Sequence, residues 1–321
     1  MEKRSFIVLY DTKWNTPNGD PFTGEQRYDN ANEKLMISDL RIKRFIRDFL
    51  IANSNVPVFY KYDSIEAKKV IDSSITGSAF SFRKQLVEDG ILSDINKYDI
   101  KQLKNIDINE YIKKFIDARL FGAILTEKGN NFSIEGAVQF KNLSYSLNKI
   151  KPEVFQNTTI FPSKIKNEQG SIGTTTIIPY SIIAIEGWLN EQTAEINKLT
   201  EFDIDMMLSA LWLGIRDKNT KSKSGQTPLL SLEIIYQEKD YKFNPDIKVY
   251  KPIQNPLSLI SIKSDMVETD IRCREDYSLQ LESLILECAK DNVKIVNFYT
   301  EDDVLKKQLE LCSKFKFKEL Y

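Results

Sequence analysis

The sequence predicts an α+β fold built on an antiparallel sheet, in the chain order of the ferredoxin-like β-α-β-β-α-β pattern. Two observations lead to this prediction. Apolar, β-branched runs typical of strands recur along the chain, and amphipathic runs with helical spacing separate them. At 321 residues, 41% hydrophobic and 28% charged, the chain can bury a core without disulfides or metals. We expect one domain over residues 1–321, enlarged by insertions.

The first strand and the first helix have the clearest patterns. Phe6–Tyr10 is apolar and β-branched or aromatic, which predicts a buried strand, and the turn formers of Asn15–Pro21 end it. Apolar residues at helical spacing then predict a helix over Ser38–Leu50, with Ser38 as its N-cap. The apolar positions of this helix are Ile42, Phe45, Ile46 and Phe49.

Later elements follow from the same patterns. A weak capping box, Thr200-x-x-Asp203, precedes an amphipathic helix that runs to Ile215. Another helix is predicted from the shared face of Leu281, Leu284, Ile285 and Cys288. A long strand or a hairpin arm is predicted over Phe132–Leu147, where Gly136 fits a bulge. Further strands are predicted over Ile177–Leu189, Leu229–Tyr236, Leu257–Ile262 and Lys294–Tyr299.

Two segments interrupt this order. Val56–Asp117 mixes a short strand, Val58–Tyr62, with helical pieces near 66–71 and 108–115, which is typical of an insertion on a main fold. Lys151–Pro179 carries prolines, glycines and threonines without periodicity, so we predict a loop. A loop of that length is usually functional or disordered.

Composition excludes several functions. The chain has no histidine, which removes Ser-His-Asp and Cys-His triads, histidine metal sites and histidine general bases. Its three cysteines, Cys273, Cys288 and Cys312, form no CxxC pair, so neither a zinc ribbon nor a disulfide framework is expected. The sequence shows no signal peptide core and no apolar run of membrane-spanning length. We therefore expect a cytoplasmic protein with no membrane partner and no cofactor.

The net charge of −1 means that any nucleic-acid site must be a local basic stripe on a neutral body. The first candidate is the polar face of the Ser38–Leu50 helix, where arginines recur at helical spacing and could bind phosphates. The alternative is a solvated face paired with Asp39 and Asp48. The basic residues of this face are Arg41, Lys43, Arg44 and Arg47.

Other candidates lie in loops and on one strand. Backbone N–H groups at Asn18 and Gly19 could approach a phosphate, although an ordinary turn has the same residues. A basic and hydroxyl-rich loop, Lys221-Ser222-Lys223, could clamp the backbone of a nucleic acid or simply be a solvated turn. Gln139 and Lys141, with Phe140 between them, suit a sheet face that stacks on bases, although strand Phe residues are usually core. Lys164 and Lys166 add charge to the long loop.

Acidic residues offer only a weak metal site. Asp20, Glu25 and Asp29 lie near the Asn18-Gly19 turn, and solvated loop carboxylates are the commoner interpretation. We expect no metal and no catalytic residue.

Several motifs together resemble the seventh CRISPR-associated family, the guide-RNA-wrapping backbone subunit of type I Cascade complexes, and most closely the I-B subtype. The resemblance covers most of the chain up to about Tyr241. Ala137 stands where the family usually has proline in a GPVQF-like motif. The matching stretches are NTPNGDPFTGEQR (Asn15–Arg27), ISDLRIKRFIRDFL (Ile37–Leu50), DARLFGAIL (Asp117–Leu125), IEGAVQFKNLSYSLN (Ile134–Asn148) and LSALWLGIRDKNTKSKSGQTP (Leu208–Pro228).

This resemblance implies a right-hand shape: an RRM-like palm, helical fingers over about 56–117 and a thumb over about 151–179. It implies that Ser38, Lys43, Arg44 and Arg47 bind phosphates of the guide. It also implies that copies stack along the crRNA, beside other Cascade subunits, and present the guide for pairing with target DNA. The family's type I branch does not cut nucleic acid.

Two other functions remain open from the sequence. One is a backbone subunit that cuts target RNA with Asp20 and a divalent metal, as related type III subunits do with a loop aspartate. The other is an RRM-like host RNA-binding protein unrelated to CRISPR, against which stands the lack of an RNP1-like motif.

Overall fold

The computed structural model describes residues 1–20, 22–60, 77–95, 106–127, 130–158, 172–220 and 223–321. Its helices are α1 Asp39–Asn53, α2 Gly77–Glu88, α3 Ile108–Ile112, α4 Ile116–Phe121, α5 Glu191–Ile196, α6 Glu201–Arg216, α7 Glu282–Cys288 and α8 Asp303–Glu310. Its strands are β1 Arg4–Asn15, β2 Tyr28–Asp29, β3 Lys34–Ser38, β4 Gly122–Glu127, β5 Asn130–Glu135, β6 Val138–Phe140, β7 Leu143–Tyr145, β8 Glu153–Thr158, β9 Ile172–Leu189, β10 Gln226–Tyr236, β11 Glu238–Tyr241, β12 Asn244–Tyr250, β13 Ser261–Lys263, β14 Ser278–Gln280, β15 Val293–Tyr299 and β16 Phe315–Phe317.

The main sheet has the order β16-β15-β10-β1-β9-β6, and β8 also pairs with β9. All of these pairings are antiparallel except that of β15 with β16. The central strand β1 is buried over nearly its whole length, as its apolar composition predicts. The predicted α+β class is confirmed.

Helices α1 and α6 cover one face of this sheet. Phe45 of α1 and Trp212 of α6 share a core cluster with Val8 of β1. The two helices pack closely because Gly214 has no side chain: a Cβ there would lie 2.5 Å from the carbonyl oxygen of Phe45. The capping box of Thr200 and Asp203 at the start of α6 is confirmed, with both hydrogen bonds present.

The C-terminal part of the chain covers the opposite face of the sheet. Ile7 and Leu9 of β1 pack there with Tyr277 and Leu284 in a second core cluster. This burial excludes a free base-stacking surface on that side of β1. A third cluster joins Phe59, Phe82 and Phe115 of the segment predicted as an insertion to Leu125 of β4, which follows that segment.

Several local predictions are wrong. Val58, Phe59 and Tyr60 are not in a strand; the other two residues of that prediction, and the helical piece near 66–71, lie outside the described residues. The segment Phe132–Leu147, predicted as one long strand or a hairpin arm, is divided among β5, β6 and β7, and β5 forms a hairpin with β4. The first break is at Gly136, where a Cβ would meet the Phe121 carbonyl carbon at 2.2 Å. In the predicted strand Leu257–Ile262 the first three residues belong to a 3-10 helix, Pro256–Leu259, and only Ser261 and Ile262 lie in a strand, β13.

The long loop predicted over Lys151–Pro179 is also wrong at both of its described ends. β8 pairs with the first part of β9 from Glu153 opposite Ile177 to Thr158 opposite Ile172. This part of β9 consists largely of threonines, so it lacks the alternation of apolar and polar residues from which a strand is predicted. No helix in the described part of the chain is long and apolar enough to span a membrane.

Candidate nucleic-acid interface

The loop after β1 is held by its own polar groups. The Asp20 carboxylate accepts the backbone N–H of Phe22 at 2.9 Å and forms a 2.9 Å ion pair with Arg27. The hydrogen bond from Phe22 is the main cause that lowers the pKa of Asp20. The backbone N–H of Asn18 donates to the side chain of Gln26 at 2.8 Å. These contacts give both Asp20 and the Asn18 N–H a structural role.

Ser38 caps α1 as predicted, its hydroxyl accepting from the Arg41 backbone N–H at 3.4 Å. The basic residues of α1 then divide into two groups. Lys43, Arg44 and Arg47 all pair with carboxylates, whereas Arg41 forms no ion pair with any described residue. The pairs are Lys43–Asp39 at 2.9 Å, Arg44–Asp48 at 3.4 Å and Arg47–Asp117 at 2.8 Å.

Arg47 is chiefly a structural anchor. Its partner Asp117 is fully buried and also accepts the backbone N–H groups of Phe59 and Tyr60, at 2.6 and 3.2 Å. The guanidinium lies over the Tyr60 ring, 4.8 Å from its centroid. The ion pair therefore ties α1 to the start of the insertion.

Arg41 has the opposite environment. Its guanidinium lies 4.2 Å from the centroid of the Phe45 ring, and burial lowers its pKa. Its Nε and Nη2 atoms are shielded from solvent and have no hydrogen-bond partner among the described residues. Unpaired buried donors of a charged group are costly, so Arg41 requires an acceptor beyond its described neighbours.

Lys223 lies beside Arg41. Burial, and secondarily the charge of Arg41, lowers the pKa of Lys223 to about 8. Its ammonium donates to the backbone carbonyl of Thr16, which joins the loop before β10 to the loop after β1. The Nδ2 of Asn18, a residue only 6% exposed in the adjoining loop, is a further buried donor without a partner among the described residues. Arg41 and Lys223, two neighbouring cations without a described carboxylate partner, form a site suited to an oxyanion such as phosphate.

A separate groove runs along the exposed side of α1. It has a volume of about 920 Å³ and is lined by Arg44, Arg47 and Lys218 as well as by Tyr60 and Phe121. Asp48 joins two of the cations at the rim of the groove, because it forms ion pairs with Lys218 at 2.6 Å and with Arg44 at 3.4 Å. The mixed charged and aromatic walls can contact both the phosphates and the bases of a single strand.

The predicted base-stacking strand is only partly suitable. Phe140 is buried against Phe121, with ring centroids 5.9 Å apart, so its proposed stacking role is wrong. Gln139 is exposed and borders the groove. Lys141 is half-exposed and pairs with the buried Glu186 at 3.5 Å, whose pKa is raised by burial.

The structure therefore brings Arg41 and Lys223 together, with Asn18 in the loop whose Thr16 accepts from Lys223. It brings Lys43, Arg44, Arg47 and Gln139 to the groove. Gly19 forms a bridge with Gln26 and belongs to the same loop as Asn18. Four predicted residues, Lys164, Lys166, Lys221 and Ser222, lie outside the described residues. The burial of Asp117 and the isolation of Arg41 could not be predicted from residue patterns, because both depend on tertiary neighbours. No three Asp, Glu or Cys side chains of the described residues lie together as a metal site would require.

Comparison with known proteins agrees with this architecture. A curated relative from Haloferax volcanii, CRISPR-associated protein Cas7, is 26% identical over 268 residues, or 75% of this chain and 72% of the relative. A solved chain titled "CRISPR RNA-guided surveillance complex, pre-nicking" has a TM-score of 0.55 at 11% identity and covers 99% of this chain and 96% of that one. This likeness shows a common fold.

The family model of CRISPR-associated protein Cas7 matches residues 2–282, which is most of the chain. The chain therefore belongs to the Cas7 family.

Proposed function

We propose that this protein is a non-catalytic backbone subunit of a type I CRISPR Cascade effector, of the I-B subtype. It binds crRNA through the phosphates, assembles with copies of itself and with other Cascade subunits, and presents the guide for pairing with target DNA. The proposal includes a cytoplasmic location. Membership of the Cas7 family supports the class of complex.

The observation that carries the RNA-binding part is the cation site of Arg41 and Lys223, which no described carboxylate pairs with. A protein of net charge −1 has no general attraction for nucleic acid, so binding must come from such local sites. Cations that lack a carboxylate partner bind a phosphate without first breaking an ion pair. Arg44 and Lys218 extend the positive side of the groove toward the next phosphates.

The fold supports the assignment of the parts. β1, α1, β6, β9, α6 and β10 follow one another in the ferredoxin-like order, and their strands lie side by side as β10-β1-β9-β6. We assign this unit as an RRM-like palm. Residues 56–117 are the proposed fingers and 151–179 the proposed thumb, whose described ends form the β8–β9 ladder.

Assembly on RNA tests this function directly. A head-to-tail interface that does not close gives an open filament, and binding to a strand beside a bound neighbour is cooperative. Mass photometry on single-stranded RNAs of increasing length is expected to show complexes that grow in whole-subunit steps, with few singly occupied species. A subunit number that stays constant as the RNA lengthens would contradict the backbone assignment.

The cutting alternative has its own test. Asp20→Asn keeps the oxygen that accepts from Phe22 but removes the charge needed by a metal. Wild type and variant, each incubated with Mg²⁺ and a guide–target RNA duplex, are expected to leave the target intact. A magnesium-dependent cut by wild type that disappears in Asp20→Asn would replace the non-catalytic assignment with the cutting one.

A further inference from the structure

Trp14 is an exposed aromatic residue held in a strained backbone conformation. Its φ is 51°, in the left-handed region that side chains with a Cβ seldom adopt. The neighbouring ladder pairs Lys13 with Tyr180 and Asn15 with Ile178, so Trp14 lies across from Pro179, which has no N–H to donate. The side chain is 48% exposed. A strained residue that contributes little burial points to a function at its surface.

A second aromatic ring stands beside it. Phe155 of β8 is 39% exposed, and its ring centroid lies 6.4 Å from that of Trp14 at an interplanar angle of 77°. An edge-to-face pair of this kind fixes the orientation of both rings and leaves ring surface open to solvent. The pair joins β1 to the strand that leads into the proposed thumb.

The aromatic pair adjoins the unpaired cation site. Lys223 donates to the carbonyl of Thr16, two residues after Trp14, and the Asn15 amide donates to the Ser224 carbonyl at 2.6 Å. Two residues of extended chain span about 7 Å. A ligand that has a phosphate on Lys223 can therefore extend an aromatic ring to Trp14.

We propose that Trp14 and Phe155 form a stacking platform for one nucleobase of a single-stranded RNA whose phosphate is bound by Arg41 and Lys223. The ligand class is a nucleotide within a strand, recognised by a π face and an adjacent anion. Stacking of this kind is sequence-tolerant because every base has a π face. The inference rests on the proposed function and adds the base contact to its phosphate site.

The test combines protein variants with altered RNA. Affinities of wild type, Trp14→Ala and Trp14→Phe are measured by fluorescence anisotropy for a normal RNA and for an all-abasic strand of equal length. Trp14→Ala is expected to bind normal RNA about 5- to 100-fold more weakly and the abasic strand as wild type does. Trp14→Phe is expected to restore most of the affinity. Equal affinities of wild type and Trp14→Ala for normal RNA, or equal losses on both strands, would overturn the platform.

A matched control is available on the β11–β12 hairpin. Tyr241 and Phe243 form another edge-to-face pair, with ring centroids 5.5 Å apart, and Phe243 is 79% exposed. The hairpin lies beyond the Tyr236 end of β10, roughly 30 Å along the strand from the loop that carries Lys223. Phe243→Ala is expected to bind both strands as wild type does, whereas a loss equal to that of Trp14→Ala would show a nonspecific apolar effect and overturn the proposal.

The salt dependence separates the two proposals. Trp14→Ala should leave the slope of log affinity against log salt unchanged, while Lys223→Ala should reduce it by about 0.7. If wild type binds RNA with a salt-dependent affinity and Trp14→Ala binds equally well, the proposed function stands and the stacking platform is wrong. If wild type does not bind RNA, both proposals are wrong.

Discussion

Arg41 and Lys223 are neighbouring cations that repel each other: the guanidinium charge adds to burial in lowering the pKa of Lys223 to about 8. No described carboxylate pairs with either of them. Folding thus brings together two groups whose mutual energy is unfavourable until an anion binds between them. Binding sites often carry such a cost, since stability given up in the free protein returns as affinity for the ligand.

The depressed pKa of Lys223 makes RNA binding depend on pH. Only the protonated amine binds a phosphate well, so above pH 8 the free protein must take up a proton on binding. Affinity is therefore expected to fall as pH rises from 7 to 9, with a slope of log affinity approaching −1 above pH 8. Anisotropy with an RNA of adenine and cytosine only avoids titration of the bases. Lys223→Gln should bind more weakly with a nearly flat profile, and a profile as steep as that of wild type would exclude Lys223 as the titrating group.

Arg41 is predicted to lower the stability of the free protein. Arg41→Met keeps the packing on Phe45 but removes a charge with two unpaired buried donors, so the free energy of unfolding should rise by about 1 kcal/mol or more. The same variant should weaken RNA binding and reduce the salt slope by about 0.7. Arg44→Met is the control, because Arg44 is 62% exposed and its loss should change stability by less than about 0.5 kcal/mol. Urea denaturation without RNA measures the stability of both variants. An Arg41→Met variant less stable than wild type would contradict the claim that the buried donors of Arg41 are unpaired.

Arg47 is predicted to act mainly on stability. Arg47→Ala leaves the buried Asp117 with its two backbone N–H donors but without its cation, which should cost about 2–3 kcal/mol. Asp117→Asn in the Arg47→Ala background should recover part of this loss. The measurement is again urea denaturation of the free protein. A stable Arg47→Ala that loses only RNA affinity would instead support the simple phosphate contact that the sequence suggested.

The difference between Arg41 and Arg47 could not be predicted from the sequence, although their position on the helix could. Helical spacing placed Arg41, Arg44 and Arg47 on one polar face of α1, and this is correct as local geometry. Which arginine remains unpaired depends on Asp117, which approaches from a segment 70 residues away, and on the Lys223 loop. Neither approach has a local pattern from which it could be predicted.

The same distinction applies to the fold. α1 and α6 were predictable because their apolar residues follow the helical period, and β1 because its continuous apolar run marks a buried strand. The β8–β9 ladder was missed since its residues are largely polar. The burial of β1 was predicted, but the segment that covers its far face was not, because that segment is distant in the chain. Trp14 was missed since a positive φ leaves no mark in the residue type.

The strain at Trp14 can be measured independently of RNA. Trp14→Gly and Trp14→Ala both remove the ring and its contact with Phe155, but only glycine adopts a φ of 51° without steric cost. Trp14→Gly should therefore be more stable than Trp14→Ala by about 1 kcal/mol.

Lys13 supplies the matched control for this comparison, since it is the exposed neighbour of Trp14 in β1 and its φ is not positive. At an ordinary strand position glycine is less stable than alanine by about 0.5–1 kcal/mol, so Lys13→Gly should fall below Lys13→Ala. Opposite signs at two adjacent positions cannot arise from a general effect of glycine on the unfolded chain. If glycine is less stable than alanine at both positions, Trp14 is not strained. That result would remove the conformational argument for a functional role of its ring.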